Sequence, residues 1–518
     1  MEREQSHPPK DVPPPGTAWG HALRVRRSWH YALISLLLLL PCHWQPRIQA
    51  GDLSSHIYNS WLAQFIESGR AEGLAIVSQT TNILFDLMLG SLFRVLGAEW
   101  AQRVTVSLVV LVFLWGAFAF ASAVSRRRPW HLMPCLAMLA YGWVFHMGFF
   151  NFYLSLGLCF WALAGLWRPT RVRAAASVAV LGLAYTAHAL PVVWTAWLIV
   201  YLWMARRVTP RRRVLLTASC LMAMLGLNLL LSSTFVSRWS PQQISVSSGA
   251  DQIWVFGVKY YLVLAGLLLV WGLLFLDLIH LRGVRRTVMG IPFQFCVLSA
   301  ATVIALPNMI LLPGFHHALV YIAERMSLGV GVCVCALLAA ARPHRWERLG
   351  IIGLAAVFFV FLYSDERALN RFEDRMEGVV AQLPPGRRVV NSVSVPAGRT
   401  NAMVHVLDRV CIGHCFSYAN YEPSTAQFRI RTLGRNPYVV ASYADSWALQ
   451  NGTYVPKETD LPLYKVDLDE QGELVIKPLK AGMLCGSTTV EILPRWTGCN
   501  TARHWPSAFG WILFPGLT

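Results

Sequence analysis

The sequence predicts a polytopic α-helical membrane protein of about eleven transmembrane helices, with two interfacial helices in the first outer loop and a C-terminal extracytoplasmic mixed α/β domain. Three observations carry this. Apolar runs recur from residue 28 to residue 364, and several exceed the roughly 20 residues that cross a hydrocarbon core. Short basic clusters punctuate those runs, which is how topology is encoded. From Asp365 onward, charged residues, Pro, Gly and Asn become frequent and no run of spanning length remains. Residues 365–518 are enough for one soluble domain with its own core.

Bulk composition agrees. Of 518 residues, 55% are hydrophobic and only 14% charged, which excludes an ordinary soluble chain. The net charge of +18 does not indicate a nucleic-acid partner, because the basic residues lie between apolar spans. Residues 1–27, rich in Pro and Arg, read as a disordered cytoplasmic tail. The apolar run after them lacks a small-residue cleavage site and reads as a retained first span.

Residues 28–364 form the membrane domain. Span 1 covers about Ser28 to Trp44. Two amphipathic stretches follow, Leu53 to Ile66 and Asn82 to Leu96, too short and too polar for spans and suited to lying in the interface. Further spans are expected at about 104–124, 131–149, 151–167, 174–190, 191–205, 214–236, 253–279, 288–306, 318–341 and 349–363. With 81–98 in the interface, the basic clusters at 24–27, 126–128, 168–173, 206–213, 282–286 and 342–348 all fall on one side. That places the N-terminus in the cytoplasm and the C-terminal domain outside.

In the outer domain, Arg387 to Val395, Tyr438 to Ser442 and Glu473 to Ile476 read as strands, and Asn401 to Cys411 as a short helix. The segment HCFSYANYEPSTAQFRIR from His414 is dense in aromatics; packing is favoured over glycan contact. Cys411, Cys415, Cys485 and Cys499 permit two disulfides in an oxidising compartment, and the pairing is open. The Cys411–His414–Cys415 spacing is poor for zinc. Repeats and nucleotide-binding glycine loops are absent, and no cytosolic catalytic domain exists to use a nucleotide-sugar donor.

The predicted topology gathers polar residues at the outer face: Asp52, His56, Asp86, His146, Asn151, His188, His316, His317, Glu324 and Arg325. Ionisable groups at a membrane face the protein interior or a wet cavity, so a shared outward-facing cavity is expected. His56 follows Asp52 by four residues, one helical turn on the same face.

Two segments, GDLSSHIYNSWLAQFIESG (Gly51–Gly69) and NILFDLMLGSLFRVLGAEWAQRV (Asn82–Val104), carry a resemblance. They are similar to the N-terminal module of GT-C glycosyltransferases of the protein O-mannosyltransferase and aminoarabinose-transferase type. The likeness covers residues 28 to about 128. It implies transfer of a sugar from a polyprenyl-phosphate carrier to an extracytoplasmic glycan, lipid or protein acceptor, in a bacterial inner membrane. It implies that Asp52 is the general base or positions the acceptor; His56, one turn on, is the second catalytic candidate. Depth and charge, not a matched motif, suggest Arg325 for the phosphate, helped by His316 or His317. Asp86, His146, Asn151, His188 and Glu324 complete the candidate substrate-binding set. No cofactor or metal-ligand set is assigned, and a divalent metal is left open. The chain departs from the family in having Leu53 where many relatives have a second acid, Thr80-Thr81-Asn82 where they have Lys-Pro-Pro, and His56 where an aromatic residue is usual. The alternatives are a transporter or lipid-handling protein, and a non-catalytic relative acting through its outer domain.

Overall fold

A computed structural model describes residues 29–395, 398–425 and 427–490. The predicted tail at 1–27, Cys499 and the end of the C-terminal domain lie outside these residues.

The first helix, α1 (Trp29–Cys42), ends in a 3-10 turn around Pro41. The chain crosses to α2 (Leu53–Glu67) and then the short strand β1 (Leu74–Ile76). The long helix α3 (Leu84–Ser125) follows, bent at Gly97, whose φ of 75 and ψ of 176 only glycine adopts without strain. The second expected interfacial helix and the span after it are therefore the two arms of α3. Next come α4 (Met133–Ala140), α5 (Trp143–His146), α6 (Phe150–Leu166), α7 (Arg171–Ala187) and α8 (Ala189–Ala205). The expected span at 131–149 breaks in two because Gly142 is extended and the Gln252 side chain accepts from the Val144 N–H at 3.2 Å.

The helix α9 (Pro210–Thr234) starts with Thr209 as cap and Pro210 in its first turn, where a missing N–H costs nothing. It leads through β2 (Val236–Arg238) to α10 (Tyr260–Arg282), α11 (Val284–Val288), α12 (Ile291–Ala305), β3 (Met309–Leu311) and α13 (Ile322–Leu338). Among the described residues, α3, α9, α10 and α14 (Arg345–Val380) are long and apolar enough to cross a membrane; α1, α6, α8 and α12 are apolar but shorter.

The expected domain boundary at Asp365 falls inside α14, which runs on without interruption to Val380. The composition changes at 365 because the neighbours of α14 change. Asp365 meets Lys259 and Tyr260, Glu366 meets His146, and Glu373 is gripped by Arg409 at 2.6 Å. The helix is thus a shared strut.

Beyond it lie β4 (Arg388–Asn391), β5 (Val393–Ser394), α15 (Val406–Val410), β6 (Phe416–Ser417), β7 (Ile430–Thr432), α16 (Tyr443–Gln450), β8 (Leu463–Leu468), β9 (Leu474–Pro478) and β10 (Thr488–Thr489). A four-stranded sheet runs in the order β6-β4-β8-β9, parallel except for the β8–β9 hairpin. The expected strand at 438–442 is irregular chain, bent at 438–439, that delivers Ser442 as the cap of α16. The expected helix at 401–411 shortens to α15, and Cys411 pairs with Cys415 just beyond it.

The domain was expected to carry its own core, but most of its apolar side chains belong to a cluster continuous with the bundle. Among the described residues, only Val390, Tyr418, Val440, Leu449, Tyr454, Leu463, Leu479 and Cys485 form a separate one. β1 pairs with β7, fastening the loop after α2 to the domain. At the opposite end of the bundle the basic clusters converge: Arg127 lies near Arg282 and Arg342, and Arg126, Arg168, Arg206 and Arg213 share one cavity.

Candidate functional site

Asp52 is held by its backbone. The N–H of Gly51 donates to the carbonyl of His146 at 2.9 Å, and that of Asp52 to Met147 at 3.0 Å. Two glycines permit this approach. A Cβ on Gly148 (φ +83) would lie 2.4 Å from the Asp52 nitrogen, and one on Gly51 would lie 2.8 Å from the Asn401 carbonyl. The side chain, by contrast, is 27% exposed, and no hydrogen bond from a described residue ties its carboxylate. The nearest base is His405, with Nε2 at 3.9 Å.

The helix that Asp52 opens is not a surface-lying amphipath. Ser55 donates to Glu422 at 3.1 Å, Asn420 to Asn59 at 2.8 Å, and the Ser417 N–H to the Tyr58 hydroxyl at 3.1 Å. Its polar face is roofed by the C-terminal domain, so both faces are buried. That is why a pattern of mixed polarity reads as interfacial although the helix is enclosed.

One turn on, His56 Nδ1 pairs with Asp86 Oδ1 at 2.6 Å. Asn151 donates to Asp86 Oδ2 at 2.8 Å and accepts from the Phe85 N–H at 2.9 Å. The start of α3 is thereby locked to α2 and α6. Burial opposes the charged imidazole, yet Asp86, with Glu422 and Asp52 behind it, lifts the His56 pKa to about 9. Burial raises the Glu422 carboxyl to about 7, against the pull of His56. Arg429 also acts on Asp86.

Facing this relay is a cationic and aromatic wall. Arg325, in the first turn of α13, lays its guanidinium 3.6 Å over the Phe149 ring. Its Nε is buried without an acceptor, and no carboxylate of a described residue lies within 4.0 Å of it. Asp52 acts on it through space. Tyr321, the cap of α13, sits in the left-handed region (φ 59, ψ 35), a costly conformation for a bulky residue. His405 stacks on Tyr421 at 5.2 Å, and the His317 ring lies 5.8 Å from that tyrosine. Burial lowers the His317 pKa; in His405 the same burial is outweighed by the carboxylates of Asp408 and Asp52, and its pKa rises.

Six of the expected residues thus meet: Asp52, His56, Asp86, Asn151, His317 and Arg325, and His188 lies within electrostatic reach of Arg325. Three stand apart. His146 is fully buried and bonded to Glu366 at 3.1 Å and to the Gly142 carbonyl, so it joins α5 to α14. His188, near Arg325, also caps α8, its Nδ1 accepting from the Leu190 N–H. His316 is exposed and stacks on Tyr443. Glu324, one residue from Arg325 and so turned away from it, accepts from Asn308 at 3.1 Å and lies near Asp251 and Arg399. The single expected cavity is therefore two polar groups, with His146 and His316 outside both. Among the described residues no group of three His, Cys, Asp or Glu is placed to hold a metal ion.

The deciding geometry is a carboxylate without a hydrogen bond from any described residue, within electrostatic reach of an arginine without a described carboxylate partner. No protein family, curated protein or solved structure matches the chain. The chemistry therefore rests on the residues themselves. His405, Tyr421, Glu422 and Arg429 were missed from the sequence as site members. The last three lie in the aromatic segment from His414, whose Phe416 and Tyr418 do pack while Tyr421, Glu422 and Arg429 reach the site.

Proposed function

We propose that the chain is a GT-C-like membrane glycosyltransferase, using a polyprenyl-phosphate-linked sugar at an extracytoplasmic face of a bacterial inner membrane. In this reading the helices form about eleven spans, with the N-terminus cytoplasmic and the C-terminal domain outside. One observation carries the proposal: Arg325 is a cation without a carboxylate partner among the described residues, held against Phe149 within electrostatic reach of a carboxylate, Asp52, that no hydrogen bond from a described residue occupies.

The Asp52 carboxylate takes the proton of the acceptor hydroxyl. The acceptor oxygen bonds to the anomeric carbon, and the bond from that carbon to the phosphate oxygen breaks. The phosphate leaves with the electron pair, and its charge meets Arg325, with His405 and His317 close by. The His56–Asp86–Asn151 relay fixes α2 and hence Asp52. Leu53, where a second acid is usual in the resembled family, is fully buried, so a single acid serves.

The test is to incubate the purified full chain with polyprenyl-phosphate-linked hexose or pentose in bilayers. Mass spectrometry then follows the free polyprenyl phosphate. Release that depends on an added acceptor is the expected result. Neither transfer nor hydrolysis over prolonged incubation favours the non-catalytic reading.

A further inference from the structure

We infer that the basic end of the bundle carries a second site, for a phosphate ester head group, independent of the site at Asp52. A cavity of about 430 Å³ opens there, between the ends of α3, α6 and α8 and the starts of α9 and α12. Four guanidinium groups line it, from Arg126, Arg168, Arg206 and Arg213, against an apolar wall that includes Trp167 and Pro292. None of the described residues lining it is acidic.

The positive-inside rule explains why arginines are at this end, but not why four converge on one concavity. Two of them are fixed. Arg206 donates to the Trp167 carbonyl and stacks on its ring, and Arg213 donates to the Met289 carbonyl at 3.3 Å. Each ties off a carbonyl at a helix C-terminal end and keeps further N–H groups to offer. The Nε of Arg213 is buried with no acceptor among the described residues, a donor left waiting in the wall. The other two are uncommitted: Arg126 and Arg168 make no hydrogen bond or ion pair with any described residue and are exposed. Arg126 closes α3 in the left-handed region (φ 63). Two anchored and two free guanidinium forks around one cavity suit a phosphate, which accepts paired N–H groups from arginine. The apolar wall favours an ester that carries an acyl chain over the free anion.

The test titrates the full chain in detergent with dihexanoyl phosphatidic acid, dihexanoyl phosphatidylcholine and glycerol phosphate, and repeats this with R126Q/R168Q and R126K/R168K. Saturable binding of phosphatidic acid but not phosphatidylcholine is expected. The glutamine pair should weaken it about tenfold and the lysine pair much less. Because neither arginine bonds to a described residue, the melting temperature should hold in both. Equal binding of glycerol phosphate, lost in the same variants, supports the phosphate site and identifies a soluble ester as its ligand. No saturable binding of either phosphate, or full binding by the glutamine pair, overturns the inference. Phosphate bound at Arg325 would be indifferent to both variants.

Discussion

Single side chains set the chemistry at the outer polar group. Arg325 has a ring beneath it and no carboxylate of a described residue within 4.0 Å, so its charge is available to a ligand. Arg325→Gln should weaken binding of polyprenyl phosphate about tenfold or more, as loss of one charge-assisted contact does, read by titration in nanodiscs. His56 gives a pH signature. Its folded pKa of about 9 exceeds its ordinary 6.5, so the His56–Asp86 pair stabilises fully below pH 6.5. That contribution fades as pH rises through about 9. The gap in melting temperature between wild type and His56→Phe should therefore be constant below 6.5 and shrink toward pH 9. A gap that widens with pH would contradict the pairing.

Elements matter through how closely they approach. The turn between α5 and α6 supports Asp52 only because Gly148 has no Cβ. Gly148→Ala meets both a left-handed backbone and a 2.4 Å approach to the Asp52 nitrogen. It should cost at least about 2 kcal/mol, measured by chemical denaturation, and displace Asp52.

At this scale much was legible in the sequence. Each long apolar run lies on helix, and the polar module from Gly51 gives α2 with Asp52 at its mouth. The break at Gly142 was not, because the acceptor that replaces the helix bond comes from Gln252, far along the chain. Nor was the burial of α2, because its polar face is satisfied by residues 417–422. His146 was misplaced for the same reason: depth along the chain located it, but its partner Glu366 decides what it does.

At the scale of the molecule, the C-terminal domain and the basic clusters occupy opposite ends of the bundle, and α14 joins the two halves. Depth in sequence cannot reveal that the apolar core continues into the domain. Thiol chemistry reports on this arrangement. Unfolded under acid quench straight from cells, Cys411 and Cys415 should resist alkylation until reduced, as a disulfide in an oxidising compartment does. Cys485, buried in the domain's small core, should react only after unfolding. Alkylation of the quenched, unfolded Cys411 without reductant would place the domain on the reducing side.

The proposed function turns on Asp52, and its most direct test separates binding from transfer. Asp52→Asn keeps the backbone bonds to Met147 and the shape of the site while removing the base. The variant should bind the polyprenyl-phosphate-linked sugar as wild type does, yet transfer it at least about a hundredfold more slowly. Transfer by Asp52→Asn at the wild-type rate would contradict the proposal.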